Sequence, residues 1–509
     1  MATPAEKLAN SLEALHALQK KGHIAIRSNE LSRTDRERLR DAGFLAEVIK
    51  GWYIPANPGE QTGESTAWYA AYWPYCAQYL NARFDDEWSL SPEQSLLLHA
   101  GNWAVPRQLL VRAPNGRNKP DTFPHNTSIF AIRAELPDPG AATIVDGLRL
   151  FGIEAALIQA TDVFFQTWPT EARTILAILP DASTLLAILL EGGHTRAAGR
   201  LAGAFRNIGR PRIANDIMSA MRSALHSVRE TDPFEAPTLL KIQSHDRSPY
   251  VHRIRIMWHS MRTQIIGRLP PPPAINDLDT YLKQVDDIYV TDAYHSLSIE
   301  GYRVTPELIE RVRSGNWNPD QNDKDREHKD ALAARGYWQA FQAVKESVER
   351  TLNGANPGTV ADEDHGDWYR ELFAPNVTSG IIKASQLAGY RNGPVYIRKS
   401  LHVPLRQEAV RDTMPTFFEL LSEETDPAVR VVLGHFVFVY IHPYFDGNGR
   451  MSRFLMNVMM AAGGYPWTVI RQEDRPAYMA ALEAASVDGN IVPFAEFIAT
   501  TMRNAESYD

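Results

Sequence analysis

Residues 428–441 are apolar nearly all round, and they run straight into His442-Pro443. A helix with no polar face has to be buried among other elements. Proline disfavours helical backbone in the residue before it, so this helix is expected to end at His442. A polar loop containing Asp446, Gly447, Asn448 and Gly449 follows, and helical character resumes over 450–462 until Gly463-Gly464 stops it. The pattern requires a helical body in which a polar loop sits between a buried helix and the N-terminus of the next.

That loop has the chemistry of an anion site. Gly447 and Gly449 let backbone N–H groups approach a phosphate, and the following helix presents its positive end. Arg450 and Arg453 are three apart, so they share a helix face and reach toward the same oxygens. Asp446 offers a hard oxygen ligand suited to Mg2+ bridging phosphates. His442, at the other end of the loop, is a base that titrates near neutrality. Cradle, metal ligand and base within nine residues are the parts that phosphoryl or nucleotidyl transfer needs.

The run His442-Pro443-Tyr444-Phe445-Asp446-Gly447-Asn448-Gly449-Arg450, with Arg453 beyond it, closely resembles the Fic family motif H-P-F-x-[D/E]-G-N-G-R-x-x-R. Tyr444 stands where the family usually has a Phe that anchors the loop in the core. The resemblance covers roughly residues 276–502 and implies an all-α Fic fold. Gly389-Tyr390-Arg391-Asn392-Gly393-Pro394-Val395-Tyr396-Ile397 reads as a β-hairpin from its alternation and glycines. It takes the place of the family's flap, which docks the target protein.

The G-N-G-R form implies adenylyl transfer from ATP, since the phosphotransferase branch usually carries Ala and Lys in that loop. By resemblance, His442 removes the proton from a target Ser, Thr or Tyr hydroxyl. Gly447, Asn448, Gly449, Arg450 and Arg453 bind the nucleotide, and Asp446 holds Mg2+. Upstream, Ser296-Leu297-Ser298-Ile299-Glu300-Gly301 fits the family's inhibitory pattern [S/T]-x-x-x-E-[G/N]. Ser296 and Glu300 are four apart on one helical face. The resemblance implies that Glu300 pairs with Arg453 where the γ-phosphate belongs, holding the enzyme at rest. In some members this Glu also positions water for removing AMP, so a dual activity is implied as an option. Tyr478 and Asn457 either line the nucleoside pocket or pack in the core.

The rest of the 509-residue chain predicts about three domains in all, at ~100–200 residues each. Residues 1–55 read helix, turn, helix, hairpin, with helices over 5–20 and 32–42 and strands over 45–49 and 52–54. This order resembles the winged helix-turn-helix of AbiEi-type antitoxins. Arg33, Arg36, Arg38 and Arg40 line its second helix, where arginines meet phosphates or guanine. Asp35, Glu37 and Asp41 interleave with them, so a solvated helix face fits equally well.

Residues 60–240 read as an AbiEi-like α/β region, with strands at 108–111, 128–132 and 148–152 and helices at 153–159, 183–190 and 195–205. Its cluster Arg196, Arg200, Arg206, Arg210 and Arg212 is a solvated face or a nucleic-acid surface. Residues 241–273 read as a helical linker closed by Pro270-Pro271-Pro272-Pro273, a domain boundary. From 274 to 502 the pattern is mostly helical, with periodic stretches at 276–299, 305–313 and 327–351.

The expected architecture is thus multidomain: an N-terminal winged helix and α/β region, then an all-α Fic fold with a hairpin flap. The lone Cys76 fits a reducing compartment, and no apolar run approaches the ~20 residues of a membrane helix, so a cytoplasmic location is expected. A net charge of −8 excludes a wholly basic nucleic-acid binder. The leading expectation is an autoinhibited protein adenylyltransferase. The alternative is a DNA-binding autoregulator of a toxin–antitoxin-like system, acting through residues 1–55, whose Fic part senses nucleotide. The oligomeric state is open, a homodimer among the options.

Overall fold

The computed structural model describes residues 3–58, 65–234, 248–273, 277–315 and 329–506. They gather into two compact units, Met1–Pro249 with Tyr396–Val403, and Tyr250–Val395 with Pro404–Asp509.

The first unit opens with the helix Pro4–Lys20, closed at its start by a capping box between Thr3 and Glu6. Ser32 caps the helix Arg33–Asp41 by accepting the Asp35 amide at 3.1 Å. Strands Ile26–Arg27, Trp52–Pro55 and Leu45–Ile49 form an antiparallel sheet in that spatial order. This part does not stand apart, because Ala25, Val48 and Ile54 share a core with Trp68, Tyr72 and Tyr75 of the helix Thr66–Phe84. Next comes a four-stranded mixed sheet. Gln108–Ala113 and Thr127–Arg133 lie parallel at its centre, flanked by Ser89–Leu90 and Pro120–Phe123. Ala142–Val145 and Leu148–Phe151 pair separately, and helices follow from Ile153 to Ser223.

Most of the arginines singled out in this unit are spent on its own structure. Arg36 donates to the Ser28 carbonyl at 2.5 Å and lies over the Tyr53 ring. Arg38 bonds the Lys7 carbonyl and the Ser11 hydroxyl. Arg33 and Arg40 stay at the surface, paired with Glu37 and Asp41. Arg200 is buried, holding Asp162 and the carbonyls of Leu157 and Ile158, while Arg210 closes carbonyls from Leu176 to Pro180. Arg206 pairs with Glu230, and Arg196 with Asp162.

The second unit begins earlier than the proline run suggests. The helix Pro249–Ile265 buries Ile254, Met257, Trp258, Met261 and Ile265 in the C-terminal core. Arg262 pairs with the buried Glu424 at 2.9 Å, and the Pro270 carbonyl accepts the Tyr465 hydroxyl. The helix has already ended at Ile265, before the prolines, and packing continues to Pro270, so 250–273 is part of this unit and not a linker.

Helices Leu278–Ile299, Pro306–Arg313, Lys329–Leu352, Pro357–Thr378, Gln407–Glu423, Pro427–Ile441, Asn448–Ala462, Arg475–Val487 and Val492–Glu506 build the rest. Two lie in near backbone contact: a Cβ on Gly336 would come 2.0 Å from the Leu372 carbonyl oxygen. The expected ends at residues 276 and 327 of two helices lie outside the described residues. The expected hairpin at Gly389 to Ile397 does not form. That stretch is bent chain with no paired strand, its Gly393 carbonyl accepting from the Arg391 side chain rather than from a ladder. Among the described residues no single helix is long and apolar enough to cross a membrane.

Candidate active site

The apolar helix spans Pro427–Ile441 and starts at Asp426, whose carboxylate accepts the Val429 amide at 3.0 Å. It ends at His442, which is left-handed at φ 55° and ψ 62°. Nδ1 of His442 lies 3.2 Å from the Val439 carbonyl. A proton on Nδ1 donated there leaves the lone pair on Nε2. Burial pushes the ring down to about 4, opposed by the Val439 carbonyl, aided by Arg391, and opposed again by Glu300 and Asp446. His442 is therefore neutral at pH 7, the form a base requires.

Tyr444 is buried and stacks on Tyr369 with ring centroids 3.7 Å apart, so it anchors the loop as the usual Phe would. Its amide donates to Asn448 Oδ1 at 3.0 Å, and Asn448 Nδ2 donates back to the Tyr444 carbonyl at 2.8 Å. The Asn448 side chain thus stitches the loop, leaving only its backbone N–H for an anion. Gly447 caps the helix Asn448–Ala462 at φ 82°, and a Cβ there would also meet Phe373 at 2.8 Å. The first-turn amides of that helix have no carbonyl one turn earlier to bond, the arrangement that makes helix N-termini bind anions.

The charged groups converge on this cradle. The Asp446 side chain is 66% exposed, with Oδ2 3.6 Å from Arg450 Nη2. Arg450 is buried between the rings of Tyr302 and Phe373. Arg450 Nε and Arg453 Nη1 are buried donors without an acceptor among the described residues. An open carboxylate beside orphaned guanidinium donors fits a Mg2+–nucleotide. Among the described residues no three His, Cys, Asp or Glu side chains gather where they could hold a metal ion.

The segment from Ser296 to Glu300 reaches the same place. Glu300 ends the helix Leu278–Ile299, and its Oε1 accepts from Arg453 Nη2 at 2.7 Å. Arg453 also donates to the Ser296 hydroxyl at 2.9 Å and the Ser296 carbonyl at 3.1 Å. A Cβ placed on Gly449 would fall 2.3 Å from Glu300 Oε1, so the carboxylate lies against the cradle itself. Burial alone would raise the Glu300 carboxyl, but Arg453, Arg450 and Arg475 outweigh it and hold it below the usual range. Arg475 also donates to the Ile299 carbonyl at 2.8 Å, closing that helix.

Other residues of the site escaped the sequence reading. Asp292, one turn before Ser296, accepts the Tyr337 hydroxyl at 2.6 Å in the core. Its spacing of four and eight from Ser296 and Glu300 was the available signal. Asn457 and Tyr478 belong to the core. Asn457 bonds the carbonyls of Arg453 and Thr468 and the Thr468 amide, and the Tyr478 hydroxyl lies 2.7 Å from His435.

Residues 366–460 match the Fic/DOC family model, so the C-terminal unit carries a Fic domain. The chain is 39% identical over 232 residues to the protein adenylyltransferase Fic of Nematostella vectensis, covering 44% of this chain and 50% of the relative. To that of Drosophila willistoni it is 28% identical over 231 residues, covering 44% and 43%. It thus spans about half the length of the curated relatives it matches. Among solved structures, Fic-1 (aa134–508) from C. elegans aligns at 19% identity over 64% of this chain and 91% of that one, with a TM-score of 0.36. A Fic domain containing signaling protein from Bacteroides thetaiotaomicron VPI-5482 aligns at 18% identity over 51% and 94%, with a TM-score of 0.34.

Proposed function

We propose that this protein is an autoinhibited protein adenylyltransferase, moving AMP from ATP to a Ser, Thr or Tyr hydroxyl of a target protein and of itself. The observation that carries the reading is Glu300 Oε1, seated against Gly449 and bonded to Arg453. A carboxylate already fills a pocket whose amides and guanidinium groups are built for an anion. The names of the relatives support AMP as the transferred group.

With Glu300 displaced, ATP lies with its α- and β-phosphates over Gly447 to Gly449 and its γ-phosphate toward Arg453. The target hydroxyl arrives along the chain at Gly389 to Ile397. Nε2 of His442 takes the hydroxyl proton as the oxygen attacks the α-phosphorus. The new P–O bond forms as the bond to the β-phosphate oxygen breaks, and pyrophosphate leaves against Arg450. Mg2+ on Asp446 would neutralise charge across the phosphates. Glu300 beside the cradle is also placed to orient water against an AMP ester, the basis for a reverse activity.

The test is incubation of wild type and Glu300→Gly with lysate and ATP labelled on the α- or γ-phosphate. Label from the α-position on protein, stronger with Glu300→Gly, supports the reading. Transfer of γ-label alone, or of neither, overturns it. Release of AMP from a labelled target by wild type, and not by Glu300→Gly, tests the reverse activity.

A further inference from the structure

We infer that Arg391 is the positioning residue of the His442 base, its guanidinium holding the left-handed turn that sets the direction of the imidazole. The inference rests on the adenylyltransferase reading for what the base does, and on the geometry for what the arginine does.

A helix that ends in a left-handed residue is normally closed by the amide of the residue after it, which bonds back to a carbonyl of the last turn. Here the residue after His442 is Pro443, which has no N–H. His442 is also not a glycine, so its φ of 55° is a conformation that the surroundings must impose. The His442 amide still reaches the Phe438 carbonyl at 3.0 Å, but the Ile441, His442 and Pro443 carbonyls need outside donors.

Arg391 supplies them. Its Nε donates to the His442 carbonyl at 2.7 Å, its Nη2 to the Ile441 carbonyl at 3.5 Å, and its own amide to the Pro443 carbonyl at 2.9 Å. Nη1 and Nη2 also donate to the carbonyls of Gly393 and Leu405, tying the turn to the chain within the flap position and beyond it. The side chain is 1% exposed. A buried cation set against backbone carbonyls at a helix C-terminus is compensated by the negative end of that helix. Burial, opposed by Glu408, pushes Arg391 down to about 10, which still leaves it charged at pH 7. A planar fork with several donors is what this set of acceptors requires, and a lysine ammonium does not reproduce it. The residue that fixes the base therefore lies in the segment expected to receive the target.

The experiment uses the full chain in the Glu300→Gly background, with Arg391→Lys retaining charge without the fork and Arg391→Gln retaining a donor without charge. Thermal melts, ATP affinity, and kcat and KM for AMP transfer are measured. The His442 ring titration is followed by NMR, assigned by its loss in His442→Ala. Of the charged groups facing the ring in wild type, Arg391, Glu300 and Asp446, Glu300 is absent from every arm and Asp446 is common to all, so only residue 391 differs.

The expected result is a kcat reduced roughly 10- to 100-fold in both variants, the scale of a misplaced catalytic group, with ATP affinity and KM for ATP within about twofold. The His442 ring pKa is expected to rise in Arg391→Gln, because a neighbouring positive charge is gone. A kcat within threefold of the parent in both variants, or ATP affinity falling in step with kcat, overturns the inference. So does loss of folding in both, which assigns Arg391 to stability alone. If the Glu300→Gly parent transfers no AMP, the functional reading fails instead. The ring titration needs no turnover and still tests the hold of Arg391 on His442, an unchanged ring pKa in Arg391→Gln counting against it.

Discussion

Glu300 and Arg453 meet at 2.7 Å with the carboxylate lying over Gly449, so one acidic side chain both covers the first turn of the helix Asn448–Ala462 and engages the arginine that the proposed function assigns to the nucleotide. The contact has a second anchor, because Ser296 holds Arg453 through its hydroxyl and its carbonyl. Removing Glu300 therefore clears the cradle but leaves the arginine on two of its three partners. Glu300→Gly is expected to raise automodification roughly ten- to hundredfold, the range of a charge-assisted hydrogen bond worth ~1.5–3 kcal/mol. Adding Arg453→Ala should remove most of the gain. Incorporation of labelled AMP over time decides, and a single mutant no faster than wild type at saturating ATP and Mg2+ sinks the inhibitory reading.

His442→Ala, made in the Glu300→Gly background, is expected to lose about 10²–10⁴-fold in transfer while ATP binding is retained. The buried ring sits at about 4, so the rate limb assigned to His442 should be flat from pH 6 to 8 and fall only as pH drops toward 4. A limb near pH 6.5 that persists in the His442→Ala enzyme would show that another group is titrating.

Burial pushes the Asp292 carboxyl up to about 6, against donation from Tyr337 and attraction to Arg453. A folded pKa raised above the ordinary carboxylate value of 3.8 means stability that is fully present at low pH and lost as pH rises through 6. Asp292→Asn keeps an acceptor for the Tyr337 hydroxyl and removes the titration. Its melting temperature should exceed that of wild type at pH 8, and the gap should close by pH 4. Melting curves across that range check it, and a gap that does not vary with pH rules out ionisation of Asp292 as its source.

Gly336→Ala puts a methyl group 2.0 Å from the Leu372 carbonyl oxygen, a contact relieved only by parting two helices. A loss of about 1–3 kcal/mol or more is expected in chemical denaturation. Stability equal to wild type would mean that the helices Lys329–Leu352 and Pro357–Thr378 are less closely seated than described.

What the sequence made legible was whatever a period or a local rule fixes. The apolar run at 428–441 returns as the helix Pro427–Ile441, and the strand reading at 108–111 as Gln108–Ala113. Ser296 and Glu300 emerged from the match of 296–301 to the inhibitory pattern of the family the chain resembles, and both touch Arg453. The misses depended on long-range partners. Glycines and alternation around Arg391 resemble a hairpin until its guanidinium is seen to take the carbonyls of Gly393 and His442. The arginines from Arg196 to Arg210 look like a basic patch until Asp162, Glu230 and helix-end carbonyls are placed beside them. The use of the Asn448 side-chain amide to bond the Tyr444 backbone four residues away was likewise not legible, while its backbone N–H remains as the sequence reading had it.

The seating of Trp258 and Arg262 on Glu424 also decides where this polypeptide can be cut. Glu424 is 6% exposed and takes hydrogen bonds from both side chains. A fragment starting at the proline run would lack both donors, stranding an ionised carboxylate and baring the trough filled by Ile254, Met257 and Trp258. Removing one side of a buried ion pair costs about 3–5 kcal/mol, a large share of what holds a domain together. An autonomous catalytic fragment should accordingly begin near Pro249, and one begun at Ala274 should express as aggregate.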